Sequence, residues 1–235
     1  LFFGAVTAVL TWKFTNNLSS ALIIAGMTVV LINVAHPWGT IIAIIGGIAS
    51  VPAVSIIRSV AVQLAQSSDS FRWGRIQAWL NPESESSGKG YQIMQGLYAL
   101  GSGGLFGKGL GNSAQKLGAV PEAQNDMIFT IVCEELGVFG AALLTMLFVF
   151  LLYRLFFIAQ NAPDLLGSLI VTGIFAQVAL QVILNIAVVL NVIPATGITL
   201  PFISYGGTSI VFLMMEMGIA LSVADKIRLK DEYTI

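Results

Sequence analysis

The sequence predicts an all-α fold, a polytopic bundle of transmembrane helices with one long extracytoplasmic loop. Three observations predict it. Of the 235 residues, 56% are hydrophobic and only 10% are charged, against roughly 25% charged in an average soluble domain. The mean hydropathy of +0.87 indicates more apolar surface than a soluble fold can bury. The apolar residues also fall in runs close to the ~20 that a helix needs to cross the hydrocarbon core.

Five of these runs are expected to be full membrane spans within a single membrane domain. A shorter apolar run, residues 1–12, is expected to be the tail of another helix. Because the sequence also lacks an initiator Met, we expect the chain to be a fragment of a longer protein. The predicted spans are residues 18–35, 38–57, 128–152, 165–190 and 205–224.

Basic residues in short segments predict the orientation of the helices. Four of them follow the third and fifth predicted spans: Arg154, Lys226, Arg228 and Lys230. Residues 191–204 contain no Lys or Arg. Short loops rich in Lys and Arg stay in the cytoplasm, so we expect a cytoplasmic C-terminus and an outer position for the long segment 58–126. Eleven basic residues balance twelve acidic ones, and no nucleic-acid partner is predicted.

The long segment begins with an aromatic and basic stretch, residues 71–80. Wound as a helix, this stretch could lie in the lipid headgroup plane with its Trp and Ile side chains toward the lipid. Two interpretations of Arg72 and Arg75 remain open at this point. They either anchor the segment at the membrane surface or bind a phosphate group.

A glycine-rich stretch, residues 101–113, follows. The phosphate-binding loop of nucleotide-binding proteins needs Gly at position 102 and Ser or Thr at position 109, where this chain has Ser102 and Gly109. The dinucleotide-binding fingerprint needs Gly at position 106, where this chain has Phe106. No nucleotide cofactor is therefore predicted. The backbone amides of the stretch could still bind an anion, flanked by Lys108 and Lys116. Alternatively, the glycines only permit tight turns and close helix contacts.

Asp126 ends the long segment, immediately before an apolar run. It could cap the following helix, act as a general base, or hold a divalent cation such as Mg²⁺ or Mn²⁺. Acidic residues deeper in a span are costly unless they are paired or face a polar cavity. Counted along a regular helix from Asp126, Glu134 falls nearer the same side and is predicted to be a supporting carboxylate, whereas Glu135 is predicted to be structural. A paired, packed side chain is the preferred interpretation of Glu216.

Two sets of residues resemble the signature sequences of the SEDS family (shape, elongation, division and sporulation), which includes FtsW and RodA. The first set comprises residues 103–107, 109–116, 121–129 and 134–137, and the second is residues 194–209. The resemblance runs from about Asn17 to the end and implies a ten-helix fold for the whole protein. The Gly-Asn-Ser before Gln115 and Lys116 is closer to the division and sporulation branch than to the elongation branch.

The resemblance implies a peptidoglycan glycosyltransferase of the bacterial cytoplasmic membrane that polymerises lipid II during septal or spore wall synthesis. It also implies a class B penicillin-binding protein as transpeptidase partner, together with other cell-division proteins. The essential loop aspartate of the family falls on Asp126. Four further residues fall on motif positions and are predicted to bind substrate: Lys116, Glu122, Ser204 and Tyr205.

The sequence departs from the family pattern at two places. Residues 124–127 read Gln-Asn-Asp-Met where the family usually has His-Thr-Asp-Phe, and residues 16–18 read Asn-Asn-Leu where it has Pro-Asp-Leu. The first departure changes the neighbours of Asp126 and keeps the carboxylate. The second removes an acidic residue at the start of a predicted span.

The chemistry implied is a single inverting displacement at a sugar carbon that bears a lipid pyrophosphate. Asp126 is predicted to take the proton of the acceptor hydroxyl. Guanidinium and ammonium groups bind phosphates well, so the departing pyrophosphate is assigned to Arg72, Arg75, Lys108 and Lys116. Two other functions remain open. One is a flippase for lipid-linked precursors, which the acidic residues inside the spans would serve, and the other is a non-catalytic scaffold that activates the transpeptidase.

Overall fold

The computed structural model describes residues 2–15, 18–35, 78–84, 89–115 and 123–227. Within these ranges there is no strand, so the predicted all-α fold class is confirmed. The α-helices are α1 (Phe2–Thr15), α2 (Leu18–Ala35), α3 (Lys89–Ser102), α4 (Ile128–Asn161), α5 (Leu165–Val189) and α6 (Gly207–Asp225). A 3-10 helix, Pro82–Ser84, precedes α3.

Three helices in the described part of the chain are long and apolar enough to cross a membrane: α4, α5 and α6. The part of α2 whose side chains are described, Ser20–Ala35, is also apolar and is shorter than these three helices. The predicted span 38–57 lies outside the described residues. The same holds for four of the predicted substrate-binding residues: Arg72, Arg75, Lys116 and Glu122.

Helix α4 is longer than the sequence analysis expected. The predicted membrane span, residues 128–152, lies within this helix, which continues to Asn161. The reason is that Arg154, taken as a sign of a loop, is a single charge in a run whose neighbours Leu155 and Ile158 are buried. The helix then stops before Pro163, and α5 begins after Asp164, whose carboxylate accepts a hydrogen bond of 3.0 Å from the backbone N–H of Gly167, the usual N-cap arrangement.

The chain divides into two compact units. The first contains α1, α2, α6, residues 146–161 of α4 and residues 165–182 of α5. In this unit Gly4 of α1 lies directly against Thr28 of α2. Glu216 of α6 accepts a hydrogen bond of 2.9 Å from the amide of Gln177. Glu216 is thus a packed carboxylate with a polar partner.

The second unit contains α3, the first half of α4, the end of α5 and the loop that follows it. Gly137 interrupts α4 here, with φ 67° and ψ −167°, in the left-handed region that side chains rarely adopt. In an unbroken helix the N–H groups of Val138 and Phe139 would donate to carbonyls four residues earlier. They donate instead to the carbonyls of Gly104 and Leu105, at 3.0 and 3.1 Å.

The segment that fills this break is the Gly-rich loop, residues 103–115, which follows α3. This loop also donates hydrogen bonds to the two α4 carbonyls that the break leaves without a helical partner. The backbone N–H of Lys108 donates to the carbonyl of Glu134, and that of Gly109 donates to the carbonyl of Glu135, both at 3.0 Å. A Cβ atom at Gly107 would overlap the backbone of Glu135. The glycines of this loop therefore permit a close backbone contact with α4.

Candidate active site

Asp126 lies in a turn that immediately precedes α4. The turn, residues 123–127, is called the Asp126 turn below. The side chain of Asp126 is partly buried, and the amide nitrogen of Gln92 on α3 lies 3.5 Å from its Oδ1. Because α4 begins at Ile128, the premise that a regular helix runs from Asp126 is wrong, and the angle predicted between Asp126 and Glu134 does not apply.

Three successive backbone carbonyls of this turn, those of residues 124–126, each accept a hydrogen bond from the end of the second unit. The first carbonyl accepts from the backbone N–H of Tyr205 at 2.8 Å. The second accepts from the hydroxyl of Ser204 at 2.6 Å. The third, which belongs to Asp126, accepts from the side-chain amide of Asn185 at 2.8 Å. The backbone of the Asp126 turn is thereby held at consecutive positions.

The two side chains in this set also bind the α5–α6 loop, residues 190–206. Asn185 donates a second hydrogen bond to the carbonyl of Ile198 at 2.7 Å, and the Ser204 hydroxyl accepts one from the N–H of Leu200 at 2.7 Å. Asn185 is 1% exposed and Ser204 is 5% exposed. The two segments that carry the family-like sequences are therefore joined through buried polar side chains.

The α5–α6 loop has an unusual backbone at both of its ends. Asn191 and Phe202 adopt φ values of 55° and 64°, which few residues other than glycine adopt. At Asn191 the carbonyl accepts a hydrogen bond of 3.0 Å from the indole N–H of Trp79. Contacts with other segments thus support a conformation that the local sequence does not favour.

Glu134 is a buried carboxylate that anchors the Gly-rich loop. Its side chain is 0% exposed, and Lys108 Nζ lies 2.7 Å from its Oε1. The hydroxyls of Ser102 and Ser113 also donate to it, as do the backbone N–H groups of residues 114 and 115 at 3.3 and 3.4 Å. A buried charge is tolerated when it is paired and hydrogen-bonded in this way.

Glu135 binds the same loop from the next position of α4. Its carboxylate oxygens accept hydrogen bonds from the backbone N–H groups of Gly111 at 3.0 Å and Ser113 at 3.4 Å. Both adjacent carboxylates thus hold the Gly-rich loop, whereas the sequence analysis assigned them different roles. Lys108, predicted to bind pyrophosphate, is paired with Glu134 and keeps 37% of its side chain exposed.

Ser204 and Tyr205 were both predicted to bind substrate, and the structure places them differently. The hydroxyl of Ser204 is buried between two backbone groups, whereas the side chain of Tyr205 is 75% exposed. Sequence reasoning missed Asn185 altogether. A usable signal existed, since a polar amide inside an otherwise apolar predicted span is costly and therefore calls for a specific partner.

Comparison with known proteins identifies the family. The model of a family described as cell cycle protein, FtsW/RodA/SpoVE, matches residues 1–229. The chain belongs to the FtsW/RodA/SpoVE family. The resemblance to the SEDS signature sequences is thereby confirmed, and a member of this family with three candidate spans in its described part is a multi-pass membrane protein.

Several FtsW/RodA/SpoVE proteins are similar to this chain over much of its length. Stage V sporulation protein E of Bacillus subtilis is 51% identical over 154 residues, which cover 66% of this chain and 42% of that protein. The probable peptidoglycan glycosyltransferase FtsW of Trichlorobacter lovleyi is 38% identical over 215 residues, which cover 91% of this chain and 54% of that protein. The chain spans about half the length of the curated relatives it matches.

The fold of the FtsW/RodA/SpoVE family is also found in a solved structure. One chain of a peptidoglycan synthase complex, described as coordinating polymerization and crosslinking, matches all of this chain and 61% of its own length. The TM-score is 0.70 at 23% sequence identity. This similarity shows that the two chains share a fold.

Proposed function

We propose that the complete protein is a glycosyltransferase that polymerises lipid II into glycan strands, with Asp126 as its general base. The observation that carries this proposal is the anchoring of the Asp126 turn by three consecutive backbone hydrogen bonds. A general base must be held within hydrogen-bond reach of the proton that it takes. The relatives named probable peptidoglycan glycosyltransferase support the same activity.

The proposed reaction is one displacement with inversion. The oxygen of the acceptor hydroxyl bonds to the anomeric carbon of the donor sugar while its proton passes to the Asp126 carboxylate. The bond from that carbon to the lipid pyrophosphate breaks, and the electron pair leaves with the pyrophosphate. Cations would stabilise this leaving group. Lys108 is the described candidate, because pairing with Glu134 leaves its ammonium further N–H donors.

A divalent cation such as Mg²⁺ or Mn²⁺ stays a prediction. Among the described residues no group of three or more His, Cys, Asp or Glu could hold a metal ion. Asp126 offers one carboxylate, with the amide of Gln92 nearby. These described residues alone do not make up a divalent-cation site, and no step of the proposed reaction is assigned to one.

The setting of the activity is part of the proposal. We infer that the protein lies in the bacterial cytoplasmic membrane with its C-terminus in the cytoplasm and the Asp126 turn on the outer side. A class B penicillin-binding protein would be its partner and would crosslink the glycan strands. Other cell-division proteins would be further partners. The fold shared with a chain of a synthase complex supports such a partnership.

The deciding experiment compares Asp126→Asn with Asp164→Asn in the complete protein, reconstituted with its transpeptidase partner and purified lipid II. Asp126→Asn keeps the shape of the side chain and loses its basicity, so polymer formation should stop. Asp164 caps α5, and Asn caps a helix about as well as Asp, so the control should polymerise normally. Polymer made by Asp126→Asn at the normal rate contradicts the assignment.

The same preparations test the two other functions. A flippase would change the exposure of lipid II to an added probe in vesicles while making no polymer. A scaffold would raise the output of its partner equally with and without the Asp126 carboxylate. The described contacts do not favour the flippase, since Glu134 and one carboxylate oxygen of Glu216 already have polar partners.

A further inference from the structure

Asn185 uses one side-chain group to join two backbone segments. Its Nδ2 donates to the carbonyl of Asp126 at 2.8 Å and to the carbonyl of Ile198 at 2.7 Å. An amide nitrogen has two N–H bonds, so both are used. The Oδ1 atom of the same side chain is buried and has no hydrogen-bond partner among the described residues. The contribution of this side chain in the described structure is therefore its pair of donors.

We propose that Asn185 is a positioning residue that fixes the Asp126 carboxylate for proton transfer. This inference rests on the proposed function, in which Asp126 is the general base. Asn185 acts through the backbone of Asp126 and touches no reacting atom.

The local structure explains why such a residue is needed. The Asp126 turn precedes the first helical residue Ile128, and α4 bonds its last carbonyl, that of Met127, through the N–H and hydroxyl of Thr130. The carbonyls of residues 124–126 accept their hydrogen bonds from α5 and the α5–α6 loop. The α5–α6 loop on the other side of Asn185 is also irregular. Asn185, in contrast, lies on α5, a regular helix. A rigid element thus provides the reference point for two segments that lack regular structure.

The position of the turn matters because catalysis is sensitive to small displacements. A misplacement of about 1 Å can cost roughly 10²-fold in rate. Loss of both donors would leave the partly buried carbonyl of Asp126 and the buried carbonyl of Ile198 without this partner, and the turn would move to recover hydrogen bonds. The expected effect is on the rate of the chemical step more than on the binding of lipid II.

The first test measures kcat and KM for lipid II with variants of the complete protein. Asn185→Leu has a similar volume and no donor, and it should lower kcat by about tenfold or more with little change in KM. Asn185→Ser keeps one hydroxyl donor, so its kcat should lie between that of the unaltered protein and that of Asn185→Leu. Thr172→Val is the matched control. It removes a partly buried hydrogen bond to the backbone carbonyl of Ser168 on the same helix and should leave kcat unchanged.

The second test reads the position of the turn without activity. A spin label on Gln124→Cys, an exposed position in the Asp126 turn, is introduced with Cys133→Ala so that the native thiol does not react. Asn185→Leu should increase the mobility of the label, Asn185→Ser should increase it less, and Thr172→Val should leave it unchanged.

The inference is overturned if Asn185→Leu leaves both kcat and label mobility unchanged, or if kcat falls while the label stays as immobile as before. It is also overturned if Thr172→Val has equal effects. If Asn185→Leu does not fold, the same comparisons with Asn185→Ser decide. Failure of the proposed function is distinguishable, because it appears as polymer made by Asp126→Asn while the label still reports on the turn.

Discussion

The hydroxyl of Ser204 donates a hydrogen bond of 2.6 Å to the backbone carbonyl of Asn125, 79 positions earlier in the chain. The same oxygen accepts a hydrogen bond from the N–H of Leu200. One small side chain therefore satisfies a carbonyl of the Asp126 turn and an N–H group of the α5–α6 loop. The two regions that identify the family meet at this buried hydroxyl.

Ser204→Ala should destabilise the protein and lower its activity. The substitution leaves a partly buried carbonyl and a buried N–H without this partner, at a cost of about 1–3 kcal/mol. Ser209→Ala is the control, because its hydroxyl bonds only the nearby carbonyl of Gly206 at an exposed position. Thermal unfolding in detergent should show a lower Tm for Ser204→Ala alone. An equal Tm for both variants would contradict the structural role.

Lys108→Met should destabilise the protein more than Glu134→Gln does. Removing the lysine leaves the fully buried carboxylate of Glu134 without its cation. Breaking a fully buried pair costs about 3–5 kcal/mol, and the cost here should be smaller because the lysine is partly exposed. Removing the carboxylate leaves an ammonium whose side chain is 37% exposed and can reach water. The double variant, Lys108→Met with Glu134→Gln, should recover part of the free energy of unfolding that Lys108→Met loses. A double-mutant cycle of unfolding measures this recovery.

The control for this cycle is Lys226→Met, at the C-terminal cap of α6. An exposed charge there should contribute at most about 1 kcal/mol. If Lys108→Met unfolds no more readily than Lys226→Met, the ion pair does not stabilise the Gly-rich loop.

Gly137→Ala should disrupt the contact between α4 and the Gly-rich loop. A left-handed φ costs a residue with a side chain about 1–3 kcal/mol, and a Cβ atom here would also overlap the backbone of Gly107 and Leu105. Gly218→Ala in α6 is the matched control, because a Cβ there meets nothing within 4 Å. Since Ala favours a helix by about 1 kcal/mol over Gly, the control should keep or raise the Tm. A raised Tm for Gly137→Ala would show that the break is unnecessary.

Hydropathy predicted the positions of several helices, because a long apolar run is a local property of about 20 consecutive residues. Helix α2 occupies the residues predicted for it, and α5 ends within one residue of its predicted end. The break at Gly137 could not be read in this way, since a glycine inside an apolar run is compatible with an unbroken helix.

The arrangement around Asp126 was less predictable for a different reason. The resemblance to a family identified Asp126 and Ser204, and it could not show that Ser204 is buried against Asn125. The partners of Glu134 are also distant in sequence, and helical periodicity carries no information about them. The helical count from Asp126 assumed a regular first turn, which the structure replaces with the Asp126 turn.

The break in α4 has a mechanical consequence. At the break, two hydrogen bonds within α4 are replaced by four backbone hydrogen bonds between α4 and the Gly-rich loop. Swinging the loop outward would break these four hydrogen bonds together, including those of Glu134 and Val138, at a net cost of about 0.5–1.5 kcal/mol for each bond. The Gly-rich loop is therefore fixed to α4 through its backbone on both sides of the break.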